Sequence, residues 1–302
     1  MSRLRFAVLG SAAGGGFPQW NCRCAVCALA WDGDDRVRRR TQTSVAVTAD
    51  GLDWALINAA PEIQSQIAAN RMLHPRTGGR DSPIRSVLLT NADIDHVAGL
   101  LSLREAQPFR LMATAAVHGV LADNGVFDVL AAGVVERRTV GFDAAFELLP
   151  GVSATIFPVP GKIALYLEAG EVATAVEGEQ TIGVELGADG ARLLFIPGCA
   201  AMTDALRARL RGADAVLFDG TVWRDDEMLR AGVGTKTGRR MGHMAMSGAA
   251  GSLAAFAGID VGRKIYVHIN NTNPVLIDGS PERQEAEAAG WVVAEDGMEI
   301  AL

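Results

Sequence analysis

Ser86-Val-Leu-Leu-Thr-Asn-Ala-Asp-Ile-Asp-His-Val97 compresses a buried strand, an acidic turn and a helix start into twelve residues. The apolar run does not alternate, so Ser86–Thr90 is expected to be a strand covered on both faces. A helix is expected from Val97 to about Ala106. Between them lies Asn91-Ala-Asp93-Ile-Asp95-His96. Strand ends in layered α/β folds are where sites gather. Two carboxylates and an imidazole this close compete unless a cation joins them. The same residues also suit a plain helix N-terminus, where the macrodipole favours acidic side chains. Both readings stand at this point.

Outward from this stretch, strands and helices recur. Phe6–Leu9 is a short buried strand, and Ser44–Thr48 with Leu52–Asn58 forms a hairpin around Ala49-Asp-Gly51. Pro61–Asn70 fits a helix with proline in its first turn. Phe109–Ala113 is strand-like, Ala115–Leu121 helical, and Val152–Val159 a strand. Thr181–Leu186 and Ala191–Ile196 make a second hairpin, followed by the helix Thr203–Arg211 and the strand Ala215–Phe218, which ends at Asp219. His243 is expected to open a small-residue helix running to about Phe256. Lys264–Ile269 is a strand with His268 near its end. Ser280-Pro281 starts a helix that stops at Gly290. Two closing strands flank Asp296-Gly297. Hairpins followed by strand–helix alternation, repeated in the second half, predict two mixed sheets face to face with helices outside. That is a four-layer αββα sandwich. No linker, repeat or low-complexity tract divides it, so residues 1–302 are expected to form one domain.

Composition narrows the function. The 302 residues are 49% apolar and 21% charged, with 28 basic and 35 acidic side chains and a net charge of −7. That balance, without a basic cluster, argues against a nucleic-acid partner. The charge-free run Met244–Ile259 is shorter than a membrane span. The apolar run Phe6–Leu9 is too short for a signal peptide, so a cytoplasmic location is expected. Gly10-Ser-Ala-Ala-Gly-Gly-Gly16 lacks the dinucleotide-binding spacing, and Pro18 follows instead of a helix.

Cys22, Cys24 and Cys27 fall within six residues as C-x-C-x-x-C, while Cys199 stands far away. A disulfide framework would spread its cysteines. Clustered thiolates need a cation, and a structural zinc takes four such ligands, so the turn is a zinc candidate; three reduced thiols are the alternative. Cys199 reads as an ordinary buried cysteine. Of the five histidines, His74 in a polar loop and His118 in an apolar helix have bland readings. His96, His243 and His268 lie near strand or helix ends, and Asp219 ends another strand. Such a grouping is a candidate site.

These residues resemble the metallo-β-lactamase superfamily, and within it the branch that serves pyrroloquinoline quinone biosynthesis. The resemblance spans essentially the whole chain. It is carried by Gly10–Cys27, Leu89–Leu100, Phe218–Trp223, Met241–Met244 and Val267-His-Ile-Asn-Asn-Thr-Asn-Pro274. The superfamily signature H-x-H-x-D-H holds Asn91, Asp93, Asp95 and His96 here, so both leading histidines are missing. The slot of the later Pro-Gly-His ligand falls near Pro160-Gly161, where Lys162 stands, and that of the bridging aspartate near Gly198, where Cys199 stands. His268 fits the last metal histidine. The resemblance therefore implies an altered centre of Asp93, Asp95, His96 and His268. An oxygen-rich set with open positions suits non-haem Fe(II) better than a dizinc centre. It further implies an iron-dependent hydroxylase using O2 on the tyrosine ring of a cross-linked Glu–Tyr amino acid. In relatives that cleave phosphodiesters, the slots of Asp219 and His243 form a proton-transfer pair, so His243 is expected to act as acid–base group with Asp219 orienting it. The slot that completes the cysteine zinc site in those relatives is Asn271, which implies a zinc held by Cys22, Cys24, Cys27 and the Asn271 amide oxygen or water.

Two other functions fit the same resemblance: a carrier for the quinone or its precursor, and a metal-dependent hydrolase with an altered centre. A homodimer is one expectation for the assembly. The loop Gly232–Arg240, with Lys236, Arg239 and Arg240, is either a solvated charged loop or a holder of substrate carboxylates.

Overall fold

The structure is a computed structural model that describes residues 4–302. The early strands are β1 (Arg5–Gly10), β2 (Ser44–Thr48), β3 (Trp54–Ile57), β4 (Ile84–Leu88), β5 (Phe109–Ala113) and β6 (Val135–Thr139). The later ones are β7 (Phe146–Leu149), β8 (Val152–Pro158), β9 (Ile182–Ala188), β10 (Ala191–Ile196), β11 (Ala213–Asp219), β12 (Val261–Val267), β13 (Trp291–Val293) and β14 (Met298–Ala301). Among the described residues they form two seven-stranded sheets, ordered β14-β1-β2-β3-β4-β5-β6 and β13-β12-β11-β10-β9-β8-β7. Each sheet mixes antiparallel hairpins with parallel strands reached through helical crossovers.

Side-chain alternation explains the layers. Phe6 and Val8 of β1 join Leu193 and Phe195 of β10 and Leu217 of β11 in an apolar layer between the sheets. Ala7 and Leu9 face the opposite way, with Ile63 and Val117 from helices on the outer side of the first sheet. Leu194, Ile196, Val216 and Phe218 face outward from the second sheet onto Leu206, Leu210 and Phe256. Burial on both faces is why these strands read as continuous apolar runs. The result is the four-layer αββα sandwich of the metallo-β-lactamase type.

Local expectations differ from the structure in a few places. The closing strands do not pair with each other: β13 runs parallel to β12, and β14 antiparallel to β1, so Asp296-Gly297 crosses between sheets. The helix expected from Val97 begins at Ile94 with Asp93 at its N-cap, and passes after one turn into a 3-10 helix over Ala98–Leu103. Gly99 explains the tightening. Its N–H bonds to Ala59 O, and any side chain there would strike the Ala59–Ala60 backbone. His243 does not open a helix. Gly242 turns left-handed after the short helix Gly238–Met241, and the next residues are extended because Met244 N bonds to Cys199 O and Met246 N to Val222 O. The small-residue helix is only Ser252–Ala255.

The fold places one set of strand ends on a shared edge. The segments after β4, β11 and β12 all emerge there, bringing Asn91–His96, Asp219–Thr221 and His268–Asn271 together.

Candidate active site

His96 is set by the turn that follows β4. Its Nδ1 lies 2.7 Å from Asn91 Oδ1. That oxygen also accepts the Asp93 N–H at 2.9 Å, so it is the amide carbonyl and His96 Nδ1 must carry the proton. Asn91 thus stands in the slot of a missing histidine ligand and fixes the tautomer of the surviving one. The His96 Nε2 lone pair is buried and has no hydrogen-bond partner. Leaving such an atom unpaired costs about 1–3 kcal/mol unless a ligand engages it. Burial also pulls the His96 pKa down to about 4, which keeps the ring neutral and able to ligate.

His268 follows β12 with φ at 56°, a left-handed conformation that a side chain normally avoids. The turn swings its ring under the strand ends. Thr221 Oγ1 is 2.6 Å from Asp219 Oδ1 and 3.0 Å from His268 O. The ionised carboxylate is the stronger acceptor, so the hydroxyl donates to Asp219. It then accepts from His268 Nδ1 at 2.9 Å. The His268 Nε2 lone pair consequently faces Asp95 Oδ2 at 3.1 Å. Two acceptors at that distance require a proton or a cation between them. Burial works against the charged form of His268, but Asp95 outweighs it and raises the pKa. Burial likewise opposes the charge on Asp95, and His96 and His268 outweigh it, holding the carboxyl below the usual range.

Asp95, His96 and His268 therefore present one carboxylate oxygen and two ring nitrogens within 4.8 Å of one another. An orphaned Nε2 beside a nitrogen–carboxylate contact that needs a proton or a cation is a donor set a metal would satisfy, so these residues fit a metal. Asp93 stays out of the group. It caps the turn with extended backbone, and its Oδ1 accepts the Leu165 N–H at 3.1 Å. Burial and the neighbouring Asp95 charge raise its pKa.

His243 stacks on His268 with ring centroids 5.1 Å apart. Its Nδ1 donates to Asp219 Oδ2 at 2.7 Å. Asp219 is fully buried and also accepts the backbone N–H groups of Cys199 and Thr221. Burial raises its pKa, but His243 and these donors outweigh that and keep it low. With Nδ1 committed, His243 offers Nε2 for proton transfer. His243 and the three donors line a cavity of about 260 Å³ that also meets Lys162 and Lys236. Cys199 contributes its backbone, not a ligand. Its buried thiol is pushed up by desolvation and points to Ala201 O. His74 and His118 lie elsewhere, each against a backbone carbonyl.

The cysteine turn is a second donor set. Cys22, Cys24 and Cys27 bring their sulfurs within 4.8 Å. The helix Ala25–Asp32 starts here, with Cys24 as N-cap accepting from Cys27 N. The Cys27 S–H pulls the Cys24 pKa down to about 5, and sharing that proton pushes Cys27 up. Asn271 closes the group, but with the amide nitrogen toward the sulfurs, 3.2 Å from both Cys22 Sγ and Cys27 Sγ. The expected oxygen ligand is thus a donor to thiolate sulfur, and the Asn271 backbone O lies 3.8 Å from Cys24 Sγ and Cys27 Sγ. Nearby, Glu227 is buried and pushed up to about 7 by desolvation, bonded to Thr272 Oγ1 and Trp223 N.

Asn91 and Thr221 escape recognition in the sequence. Asn91 reads only as a lost histidine, and nothing local marks a threonine as the link between His268 and Asp219. Lys162, likewise, reads only as a substitution.

Residues 53–269 match the Beta-lactamase superfamily domain. Coenzyme PQQ synthesis protein B of Methylobacterium radiotolerans is 59% identical over 299 residues, covering 99% of this chain and all of the relative. A zinc-bound crystal structure of PqqB from Methylobacterium extorquens superposes with a TM-score of 0.97 at 58% identity, over 99% of this chain and all of that one. A diphosphatase of the PhnP family shares the fold, with a TM-score of 0.72 at 22% identity over 99% of this chain and 97% of that one. With a histidine–carboxylate edge between two β-lactamase-type sheets and close relatives over its full length, the chain belongs to the coenzyme PQQ synthesis protein B family of the metallo-β-lactamase superfamily.

Proposed function

We propose that the chain is an iron-dependent oxygenase that hydroxylates the tyrosine ring of a cross-linked Glu–Tyr precursor of pyrroloquinoline quinone. The observation that carries this is the donor set Asp95, His96 and His268, two imidazole nitrogens and one carboxylate beside an open cavity. Such a set with free positions suits Fe(II), which would supply activation of O2. Membership of the quinone-synthesis family supports the substrate class.

The chain's own residues then have defined tasks. Asn91 and Thr221 hold the histidine tautomers, so both Nε2 atoms face the same point. His243 takes up the proton released when the ring C–H becomes C–OH, and returns it to solvent. Asp219 is the positioning group that keeps His243 Nδ1 protonated. One oxygen atom enters the ring, and the other leaves as water with two electrons from an external reductant and two protons from solvent. The cysteine turn would hold a structural zinc that anchors Asn271, and through it the segment bearing His268. The partners are the amino acid and O2, with neither nucleic acid nor membrane. Among the described residues, no helix is long and apolar enough to cross a membrane.

Anaerobic reconstitution with Fe(II), followed by O2 and the cross-linked amino acid, tests the assignment. The expected result is oxygen uptake with a product heavier by one oxygen atom. Iron bound without oxygen uptake would favour a carrier. Cleavage of a substrate bond without oxygen would favour a hydrolase.

A further inference from the structure

Three cations converge on one carboxylate at the lip of the active-site cavity. Glu168 Oε1 lies 2.9 Å from Lys162 Nζ, and its Oε2 lies 2.8 Å from Arg240 Nη2 and 3.3 Å from Lys236 Nζ. Lys162 and Glu168 are buried, with side chains 9% and 10% exposed, while Lys236 and Arg240 are about one-third exposed. A single carboxylate cannot neutralise three cations, and Lys162 and Lys236 also line the cavity beside the histidines.

Glu168 sits on the segment joining β8 to β9. That segment is pinned to the acidic turn by Leu165 N on Asp93 Oδ1 and by Tyr166 OH on Ala92 O. Glu168 is thus held by polar contacts against Lys162 and Lys236, which line the cavity, with no apolar side chain fully buried in Leu165–Leu167. An internal carboxylate inside a cationic cradle occupies the place a substrate carboxylate would take.

We propose that Lys162, Lys236 and Arg240 form a carboxylate-binding subsite for the substrate, and that Glu168 is its internal placeholder, displaced when an anionic substrate enters. This rests on the reading of the substrate as an amino acid with several carboxylates, and names the residues that hold one of them. Arg240 supplies planar donors and Lys162 a desolvated point charge, the chemistry that recognises a carboxylate.

The test measures binding without turnover. Affinities of zinc-loaded protein for glutarate, and separately for the cross-linked Glu–Tyr amino acid without oxygen, are measured by calorimetry for the parent, Lys236→Ala, Arg240→Ala and Glu168→Gln. The cation variants should lose about tenfold in affinity for both probes, the scale of one charge-assisted contact. Glu168→Gln should bind several-fold more tightly, because the competitor has gone. A purely structural latch would make all three variants weaker, and binding at the metal alone would leave them equal to the parent; either result overturns the proposal. The opposite-sign pattern with glutarate and no binding of the amino acid would keep the subsite and discard the assigned substrate. Hydroxylation of the amino acid with unchanged affinities would do the reverse.

Discussion

Two donor sets share one segment of chain, His268 to Asn271, and differ in almost every other respect. The cysteine set comes from a single turn. Its three sulfurs lie within six residues, and Asn271 closes the group. The histidine set is assembled across the molecule, with Asp95 and His268 separated by 173 positions. Its ring nitrogens are oriented by neutral acceptors, and it opens on a cavity. A closed sulfur site stabilises a fold, whereas an open nitrogen–oxygen site leaves room for chemistry. Joining them through four residues means that the first can brace the second.

Exchanging the two sets of damage gives the sharpest break. Cys27→Ser should release zinc and lower the melting temperature. His96→Ala should keep that zinc, leave melting nearly unchanged, and abolish metal at the histidine edge together with turnover. Metal stoichiometry and thermal denaturation of both variants check this. The contrast collapses if His96→Ala melts as early as Cys27→Ser.

Within the histidine edge, His243→Ala should lower turnover by about 10²–10⁴-fold while iron content stays normal, the span of a lost general acid–base group. Single-turnover rates with measured iron content decide it. Full turnover would reduce the His243–Asp219 pair to a structural contact.

Asn91→Ala is a subtler intervention. It removes the acceptor that fixes the His96 tautomer, and should weaken metal binding by about 10–100-fold without removing any ligand. Metal titration against a competing chelator measures it. Unchanged affinity would mean that packing alone orients His96.

The last effect concerns Glu227, on the cysteine side. Its folded pKa of about 7 lies above the ordinary 4.5, so the folded state binds the proton more tightly. The stability from this group is complete below pH 4.5 and is lost as pH rises through 7. The loss is on the order of 3 kcal/mol. Glu227→Gln, which mimics the protonated carboxyl, should flatten that fall. Denaturant unfolding at pH 5 and pH 8 tests it, and an equally steep fall in the variant would place the pH dependence elsewhere.

Much of the scaffold is written locally. β10 and β11 are apolar on both faces because each is covered on both sides, and Ser280-Pro281 starts its helix through a side-chain cap that needs no distant partner. β6 is harder to see. Its Val-Glu-Arg-Arg-Thr has only Val135 buried, so as an edge strand it shows no hydrophobic pattern. His243 looked like a helix start because Met244–Ile259 is rich in small residues, but Cys199 and Val222 claim its backbone as an extended segment. In the site, Asp95, His96 and His268 were legible as strand-end ligands. Asp93 looked equal to Asp95, but its Oδ1 accepts the Leu165 N–H whereas Asp95 Oδ2 meets His268 Nε2.

The sequence by itself determined the layers, the cysteine turn and the loss of the leading histidines, because periodicity and short spacing depend on neighbours along the chain. Only the tertiary structure decided that Asn91 orients His96, that Thr221 joins His268 to Asp219, and that Glu168 lies among three cations. Those roles depend on which hydrogen-bond acceptor or charge lies within about 3 Å, a distance set by how distant strand ends meet.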